Sequence, residues 1–503
     1  MNRQLNAPLF GLTSAFALAF CLWALVDLNG LSAAVGAGFA SAVSTFGWLW
    51  QAGLLLVFAV SIGLALHPAA RQIMGPDRAP EFTRFQWGSM IMCTLLAGGG
   101  VFWAAGEPMA HFLSPPPVFE PTEDLKQLAA QALAQSFLHW GFLAWSILGS
   151  LSSLMLLNLH HHHGYPLAPR TLVAPLIGRD LTLGWVGTTV DAACIIAVVA
   201  GTVGPIGFLG LQVGFGLNAL FDVPNTTVTQ LTVILGLVIV YTLSALSGVS
   251  KGIQILSRLN ILLGVSLLLY MVVMGPTRHI VQGFGDGMQL YLCDLFSLAM
   301  FRADADWLGW WTVFFWGWFL GYGPMMAIFI ARISSGRSAR SIILMVSIIA
   351  PLVTNVWFSI IGGTGLGLEI ENPGSVSAAF EGFNLPAALI AITQALPLGT
   401  LVGVLFLILT SIFVATTGDS MTYVISVAMT QKSEPPPWLR VFWGGTMGVM
   451  AGVLLVAGES GVQSLQSFIV VTAVPVFFVL LPSLWYGPRQ LLMRWSKQKS
   501  ALS

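Results

Sequence analysis

Apolar runs long enough to cross a membrane recur along the whole chain, separated by short polar connections. A transmembrane helix needs about 20 predominantly apolar residues. Twelve segments meet this requirement, centred near residues 18, 57, 96, 147, 200, 237, 264, 320, 350, 408, 448 and 475. Each must be helical, because an unpaired backbone N–H or C=O group in hydrocarbon costs several kcal/mol. The pattern predicts an all-α integral membrane protein with 12 transmembrane helices, called spans 1 to 12 below.

Composition and charge agree with this prediction and orient the chain. Only 8% of the residues are charged, whereas a soluble domain carries about a quarter. If the N-terminus is cytoplasmic, every lysine and arginine except Lys126, Arg278 and Arg302 falls in a cytoplasmic loop or tail. Cytoplasmic loops carry an excess of such residues. We therefore expect a multi-pass protein of the cytoplasmic membrane, with both termini cytoplasmic, the lipid bilayer as partner and no nucleic-acid partner.

Glycines mark two spans as candidates for interruption. Span 3 carries Gly98, Gly99 and Gly100 near mid-membrane, and span 8 reads Trp-Gly-Trp-Phe-Leu-Gly-Tyr-Gly-Pro over residues 316–324. Transporters built from inverted repeats place their sites at interrupted helices in corresponding positions. Close helix packing is the alternative explanation for such glycines, but their paired placement, five spans apart, favours interruption. Spans 3–7 and 8–12 then form two inverted five-helix repeats, preceded by two peripheral helices.

The chain is predicted to be one transmembrane domain over residues 1–503. Residues 8–68 form the two peripheral helices, 86–275 the first repeat and 306–488 the second repeat. The stretch 276–305 is too polar to span and is expected to lie as an amphipathic helix on the outer surface. A short cytoplasmic tail occupies residues 489–503.

Aromatic residues are concentrated deep within two spans rather than only at their ends. Trp318 and Tyr322 are four residues apart and so share one helix face. Aromatic faces attract a quaternary ammonium, which has no N–H to donate, by about 2 kcal/mol or more when desolvated. Ordinary packing is the alternative. The deep group comprises Trp140, Trp145, Trp316, Trp318, Phe319 and Tyr322.

Several motifs resemble those of the betaine/carnitine/choline transporter family. Trp311-Thr-Val-Phe-Phe-Trp-Gly-Trp-Phe319 is similar to its Trp-Thr-x-x-(Tyr/Phe)-Trp-x-Trp-Trp signature, and Phe329–Arg337 follows at the family's distance. The other matches are Gly106–Pro108, Leu138–Gly141, Val190-Asp191, Gly248–Ile253 and Phe358–Gly363, so that the resemblance covers roughly residues 80–430. It implies the inverted-repeat fold, a homotrimer, and secondary active transport of a quaternary-ammonium solute such as betaine, choline or carnitine by alternating access.

The resemblance also implies a substrate path. It is lined by Trp140, Trp145, Trp318, Phe319 and Tyr322, with Trp316 lining or supporting it. Independently of the resemblance, Gly98, Gly99 and Gly100 can expose their backbone groups to a ligand, because they carry no Cβ. Leu148 replaces a tyrosine of many members, and Phe319 and Tyr322 replace tryptophans. These departures leave a bulkier betaine, choline, carnitine or a sulfonium analogue open as substrate.

Sodium is the coupling ion that the resemblance implies, and no other cofactor is expected. Its ligands would be the Thr416 and Thr417 hydroxyls with the backbone near Cys93, Leu96 and Phe413. Sodium-independent exchangers of the family carry an arginine where this chain has Gln254. Back-bonding of the threonine hydroxyls to helix carbonyls is the structural alternative.

Other ionisable residues leave further alternatives open. Glu107, His139, Asp191 and Asp419 lie within spans, where they either pair structurally or handle ions. His139 keeps a proton-coupled symporter possible, and a sodium-independent exchanger is the second alternative. His160–His163 is expected to be a solvated, weakly basic patch rather than a metal site. A membrane-embedded enzyme is not expected, because no HExxH pair is present.

Overall fold

The computed structural model of the protein describes residues 5–76, 79–96, 100–247, 252–381, 384–432, 434–456 and 459–500. Its α-helices are α1 (Ala7–Val26), α2 (Leu28–Leu66), α3 (Arg84–Leu96), α4 (Gly100–Leu113), α5 (Leu125–Trp140), α6 (Phe142–Ile147), α7 (Ser150–His163), α8 (Ala174–Leu183), α9 (Trp185–Phe221), α10 (Thr227–Ser247), α11 (Gly252–Met274), α12 (Thr277–Cys293), α13 (Leu295–Ala299), α14 (Ala305–Leu308), α15 (Phe314–Ile333), α16 (Ala339–Leu344), α17 (Ala350–Glu371), α18 (Leu385–Gln394), α19 (Gly399–Thr430), α20 (Pro437–Val456), α21 (Glu459–Leu480) and α22 (Tyr486–Ser500).

Short irregular helices join or precede several of these elements. Turns of 3-10 helix lie at Pro68–Arg71, Pro169–Val173, Ser377–Phe380 and Leu481–Leu484, and π-helical turns at Gly309–Val313 and Met345–Ile349. Within the described residues, the β-structure is one isolated bridge between Ile73 and Ser338. The predicted all-α class is confirmed.

Eleven helical stretches of the described residues are long and apolar enough to cross a bilayer. They confirm an integral membrane protein, whereas the predicted count of twelve is not confirmed. The difference lies in span 3, which is divided into α3, ending at Leu96, and α4, beginning at Gly100. Residues 97–99, including Gly98 and Gly99 of the predicted interruption, lie outside the described residues.

The helices differ in how much of their surface faces the surroundings of the protein. The α1 helix packs against α9 and α20 but leaves Leu18, Leu22 and Leu25 more than half exposed. By contrast, α15 packs against α21, α9 and α7, and all of its residues except Arg332 are buried. Because lipid solvates apolar side chains, exposed leucines on α1 are consistent with a peripheral position. The deep aromatic residues of α15 lie in the interior.

The interruption predicted within residues 316–324 is wrong. The α15 helix is continuous from Phe314 to Ile333 and includes Pro324; the irregular turn is the π-helix that precedes it. The glycines serve close packing instead. A Cβ on Gly317 would lie 3.0 Å from the Trp50 ring, and one on Gly323 would lie 2.7 Å from Leu480. Sequence alone could not distinguish these uses of glycine, because both require only the missing Cβ.

The connection between residues 276 and 305 contains a helix with two unlike faces. The α12 helix buries Ile280, Gly287 and Tyr291, on the side that packs against α5 and α17. Val281 and Leu292 are more than half exposed. The position of this helix on the outer surface stays a prediction.

Candidate functional site

A cluster of aromatic rings forms where the end of α5 meets the middle of α15. The Trp140 ring lies 6.0 Å from Trp318 and 5.5 Å from Phe319, with interplanar angles of 74° and 80°. Phe358 of α17 approaches Trp140 at 5.3 Å, and Phe315 lies 5.2 Å from it. Edge-to-face contacts at these distances are favourable. We call Trp140, Trp318, Phe319 and Tyr322 the aromatic box.

The α9 helix holds two rings of the aromatic box in place. Trp318 donates from Nε1 to the Gly201 carbonyl at 3.0 Å, and the Tyr322 hydroxyl bonds to Thr202 Oγ1 at 3.0 Å. A Cβ on Gly201 would lie 2.5 Å from Tyr322 Cε2 and 3.2 Å from Trp318 Cδ1. Only glycine therefore lets both rings lie against this helix. The sequence offered no signal for Gly201 or Thr202, since the pairing depends on how α9 and α15 cross.

Helical spacing explains why Phe315 and the three box residues of α15 lie on one face of the helix. Residues 315, 318, 319 and 322 recur at a spacing of three or four and share one face, whereas Trp316 lies about 100° around the helix from Phe315. The box side chains keep between 3% and 6% exposure, so each borders a space large enough for a water molecule. Trp316 and Leu148 keep none.

Trp145, Leu148 and Trp316, although predicted to be near the substrate, are not brought into the ring cluster. Trp145 belongs to α6, and its buried Nε1 has no hydrogen-bond partner in the described part of the chain. The same holds for Nε1 of Trp316. Leu148 follows α6 directly and is buried. Gly100 begins α4, and its carbonyl accepts from Trp357 Nε1 at 3.0 Å. Their roles toward a substrate stay predictions.

A buried carboxylate is attached to the aromatic box. Trp140 Nε1 donates to Glu107 Oε2 at 2.7 Å, while Glu107 Oε1 lies 2.6 Å from His139 Nδ1. His139 Nε2 faces Thr312 Oγ1 at 2.9 Å and Gln135 Nε2 at 2.8 Å. The sequence singled out Glu107 and His139 as ionisable residues within spans. It gave no sign that they hold a tryptophan of the box.

The other two intramembrane acids are paired with arginines. Asp191 accepts from Arg170 Nε at 2.6 Å and from the Arg170 backbone N–H at 2.7 Å. Asp419 accepts from Arg440 and from the Ser244 hydroxyl. Both acids are fully buried. The structural-pairing interpretation therefore accounts for Asp191 and Asp419.

The predicted sodium ligands on α19 are buried and back-bonded. Thr416 Oγ1 donates to the Ile412 carbonyl at 2.8 Å, and Thr417 Oγ1 approaches the Phe413 carbonyl at 3.4 Å. The structural alternative is thus observed, yet a hydroxyl that donates its hydrogen keeps its lone pairs. Asn260 Nδ2 already bonds to Thr416 Oγ1 at 3.3 Å. The threonines can therefore still offer oxygen atoms to a cation.

Two polar residues of α11 join this region, and the sequence reasoning missed them. Cys93, on α3, donates from Sγ to the Ser257 carbonyl at 3.7 Å. Among the described residues, the buried Ser257 Oγ and Asn260 Oδ1 have no hydrogen-bond partner. Leu96 ends α3, and its side chain, like that of Gln254, lies outside the described residues. The α3 helix packs against both α11 and α19, so the side-chain oxygens of α11 and α19 lie beside Cys93 of α3.

The four consecutive histidines do not form a compact metal site. His160 Nδ1 bonds to the Tyr165 carbonyl at 2.7 Å, and His161–His163 are exposed at the end of α7. In the described part of the chain, the group whose potential ligand atoms all lie within 4.8 Å of one another is Glu107, His111 and His139.

Comparisons with known proteins show that the sequence is similar to those of transporters. Residues 8–496 match the family model described as betaine/carnitine/choline family transporter. Glycine betaine transporter 2 of Vibrio parahaemolyticus serotype O3:K6 (strain RIMD 2210633) is 54% identical over 96% of this chain and 90% of that protein. Glycine betaine transporter OpuD of Bacillus subtilis (strain 168) is 30% identical over 94% and 92%. A solved Na+-coupled sialic acid symporter is 13% identical, with a TM-score of 0.43 over 89% of this chain and 87% of that one.

Proposed function

The chain belongs to the betaine/carnitine/choline transporter family, and from this premise we propose that it imports a quaternary-ammonium solute through the aromatic box. The observation that carries the proposal is the approach of Trp140 to Trp318 and Phe319, with ring centroids 6.0 and 5.5 Å away. A desolvated ammonium gains about 2 kcal/mol or more from such a ring.

Glycine betaine is the first substrate to test. Two relatives that align with nearly all of this chain are named as glycine betaine transporters. The departures from the family pattern at Leu148, Phe319 and Tyr322 make choline and carnitine the next candidates. The distribution of lysines and arginines supports a location in the cytoplasmic membrane with both termini inside. By family resemblance, the assembly is a homotrimer.

Sodium is the proposed coupling ion. The buried oxygens of Thr416, Thr417, Ser257 and Asn260 are hard ligands of the kind that small cations prefer. The backbone near Cys93, Leu96 and Phe413 would complete the coordination. Because α3, α11 and α19 each contribute, a cation there would hold the helices of the two proposed repeats together.

Uptake into proteoliposomes tests both parts of the proposal. Labelled glycine betaine, choline and carnitine are offered with and without an inward sodium gradient. We expect saturable, sodium-stimulated uptake of at least one compound. No saturable uptake of any of them would refute the substrate class, whereas uptake without sodium stimulation, or sodium-independent exchange, would refute the ion site alone.

A tryptophan substitution tests the aromatic box directly. Trp318→Ala removes one ring and its hydrogen bond to α9, so the Kd for the transported compound should rise at least about 30-fold, the equivalent of about 2 kcal/mol. Trp438→Ala is the matched control, because that side chain is 51% exposed and distant in sequence from the box. Equal affinity in the two variants would show that Trp318 only packs.

A further inference from the structure

Among the described residues, four carboxylates are buried, and three of them have permanent partners. Asp191 and Asp419 pair with arginines. Glu369 accepts hydrogen bonds from the backbone N–H groups that follow α17. Glu107 is the exception, because its ionisable partners are histidines, whose charge can change near neutral pH. The net charge of this part of the protein is therefore able to vary.

The group around Glu107 is enclosed. His139 and His111 approach Glu107 Oε1 at 2.6 and 3.5 Å, and none of the three side chains is more than 1% exposed. The buried His111 Nε2 has no hydrogen-bond partner among the described residues. Trp311 covers both imidazoles, with centroids 4.3 Å from His111 and 6.4 Å from His139.

No other titratable or charged side chain of the described residues bonds to this group. Its remaining polar contacts come from Gln135, Thr312 and Trp140. The α12 and α17 helices pack against α5. Of their ionisable residues, His279 pairs with Glu371 at 3.3 Å, and Asp286 lines a pocket together with Lys126 of α5. The protonation of the group is thus decided by its own three members.

The distance between Glu107 and His139 is that of a hydrogen bond rather than that of two ligands of one metal ion. Ligands at about 2.0–2.1 Å from a tetrahedral zinc ion are about 3.3 Å apart. Glu107 Oε1 and His139 Nδ1 are only 2.6 Å apart, which is the distance of a charge-assisted hydrogen bond. The geometry therefore fits a proton held between these two atoms, which joins Glu107 and His139 into one site.

His139 can gain or lose a second proton without leaving a buried atom unpaired. In the neutral ring, Nε2 accepts from Gln135 Nε2 at 2.8 Å. In the charged ring, Nε2 donates to the Thr312 hydroxyl at 2.9 Å, or to Gln135 after its amide rotates, since Gln135 Oε1 has no other partner among the described residues. Both states avoid the cost of an orphaned buried group.

The same carboxylate connects this proton to the aromatic box. Glu107 Oε2 accepts from the indole N–H of Trp140 at 2.7 Å. A net charge buried in a membrane protein is expensive, so with an empty box the Glu107–His139 pair is most stable with no net charge, holding one proton between Oε1 and Nδ1 and a second on Nε2. The ammonium group of a bound compound lies against Trp140 and supplies a positive charge beside the carboxylate. The second proton, on His139 Nε2, then becomes less favourable.

We propose that Glu107 and His139 form a proton site that releases its proton when an ammonium compound occupies the aromatic box. The N–H bond at His139 Nε2 breaks, the imidazole keeps the electron pair, and the proton passes to the buffer on the side to which the site opens. This inference rests on the proposed function. By reciprocity, affinity for the ammonium compound rises with pH, by at most about tenfold per pH unit for one linked proton.

Proton release can be measured on the purified full-length protein. Glycine betaine or choline is added in weak buffer containing a pH indicator dye, constant sodium and EDTA, which removes metal ions that could displace a proton. Binding is followed by tryptophan fluorescence between pH 5.5 and 8.5. We expect up to one proton released per bound molecule and a Kd that falls as pH rises.

Substitutions assign the proton to this group. Glu107→Gln keeps an acceptor for Trp140 but no charge, so release should disappear and the Kd should become independent of pH. Glu123→Gln, an exposed residue, should release protons as the wild type does. If Glu107→Gln does not fold, His139→Gln is the second variant. Proton release by the wild-type protein tests the proposal even without either variant.

The outcomes separate this inference from the proposed function. Binding of either compound without proton release, or undiminished release from Glu107→Gln, would overturn the proton site while leaving the transporter assignment intact. Absence of binding by the wild type to glycine betaine, choline and carnitine would instead refute the proposed substrate class.

Discussion

Replacing Gly201 by alanine is expected to weaken substrate binding without changing any residue that touches the substrate. The substitution adds one methyl group to α9, at the point where two rings of the aromatic box lie against the helix. The new Cβ would lie 2.5 Å from Tyr322 Cε2, 2.9 Å from Tyr322 Cδ2 and 3.2 Å from Trp318 Cδ1. The rings must move, because the helix backbone that carries the methyl group is the stiffer partner.

The size of the effect follows from these distances. Nonbonded carbon atoms are most stable about 3.5–4.0 Å apart, so the Tyr322 ring has to shift by about 1 Å. Such a shift also strains the 3.0 Å hydrogen bond between the Tyr322 hydroxyl and Thr202. Overpacking of this kind costs about 1–3 kcal/mol. If about 1.4 kcal/mol of that cost falls on the bound state, the Kd rises about tenfold.

The chain supplies a matched control on the same helix. A Cβ on Gly207 would meet only Leu465 Cδ2, at 4.0 Å, which is an ordinary contact. Gly207→Ala should therefore leave the Kd unchanged and stabilise α9 slightly, because alanine is favoured over glycine in helices by about 1 kcal/mol. Both variants are compared with the wild type by ligand titration of tryptophan fluorescence and by thermal unfolding in detergent.

Equal affinities of the two variants would refute the reasoning. That result would mean that the rings against Gly201 are not part of the binding site, or that the box tolerates a displacement of this size. A weakened Gly201→Ala variant that also unfolds at a much lower temperature would show a general packing defect. Loss of affinity at nearly unchanged thermal stability is the result that supports the aromatic box.

Two further predictions concern buried polar groups. Thr416→Val keeps the side-chain shape but removes the hydroxyl, so the sodium concentration for half-maximal uptake should rise about tenfold. Thr410→Val loses a similar back-bond on α19 and should leave that concentration unchanged. Equal effects of the two substitutions would show that Thr416 is not a sodium ligand. Asp419→Asn should lower the free energy of unfolding by about 3–5 kcal/mol by leaving Arg440 buried and unpaired. Glu81→Gln, in an exposed pair, should cost at most about 1 kcal/mol, and a similar loss of thermal stability in both variants would contradict that difference.

Much of the architecture could be predicted because it depends on local composition. A run of about 20 apolar residues is a helix in a membrane whatever its neighbours are, since the backbone has no other way to pair its polar groups. Phe315, Trp318, Phe319 and Tyr322 could likewise be placed on one face from their spacing. The signature around Trp311 was sufficient to indicate the family, which the match over residues 8–496 confirms.

The use of glycine in span 8 could not be predicted from the same pattern. Gly317 and Gly323 indicated an interrupted helix, yet α15 is continuous and both positions accept side chains from other helices. A glycine permits close packing and backbone exposure equally well. Close packing is the outcome when a side chain from another helix fills the space beside the glycine Cα, and that side chain is distant in sequence.

The sequence by itself determined the membrane location, the helical class, the family and the aromatic residues that share one face of α15. Only the tertiary structure decided which groups complete the candidate site. Gly201 lies against Trp318 across a separation of 117 residues, and His139 meets Thr312 across 173. Such contacts depend on how separate helices cross, which periodicity within one helix does not encode. The attachment of Glu107 to Trp140 is of the same kind, and it turns an ionisable residue within a span into a neighbour of the proposed substrate.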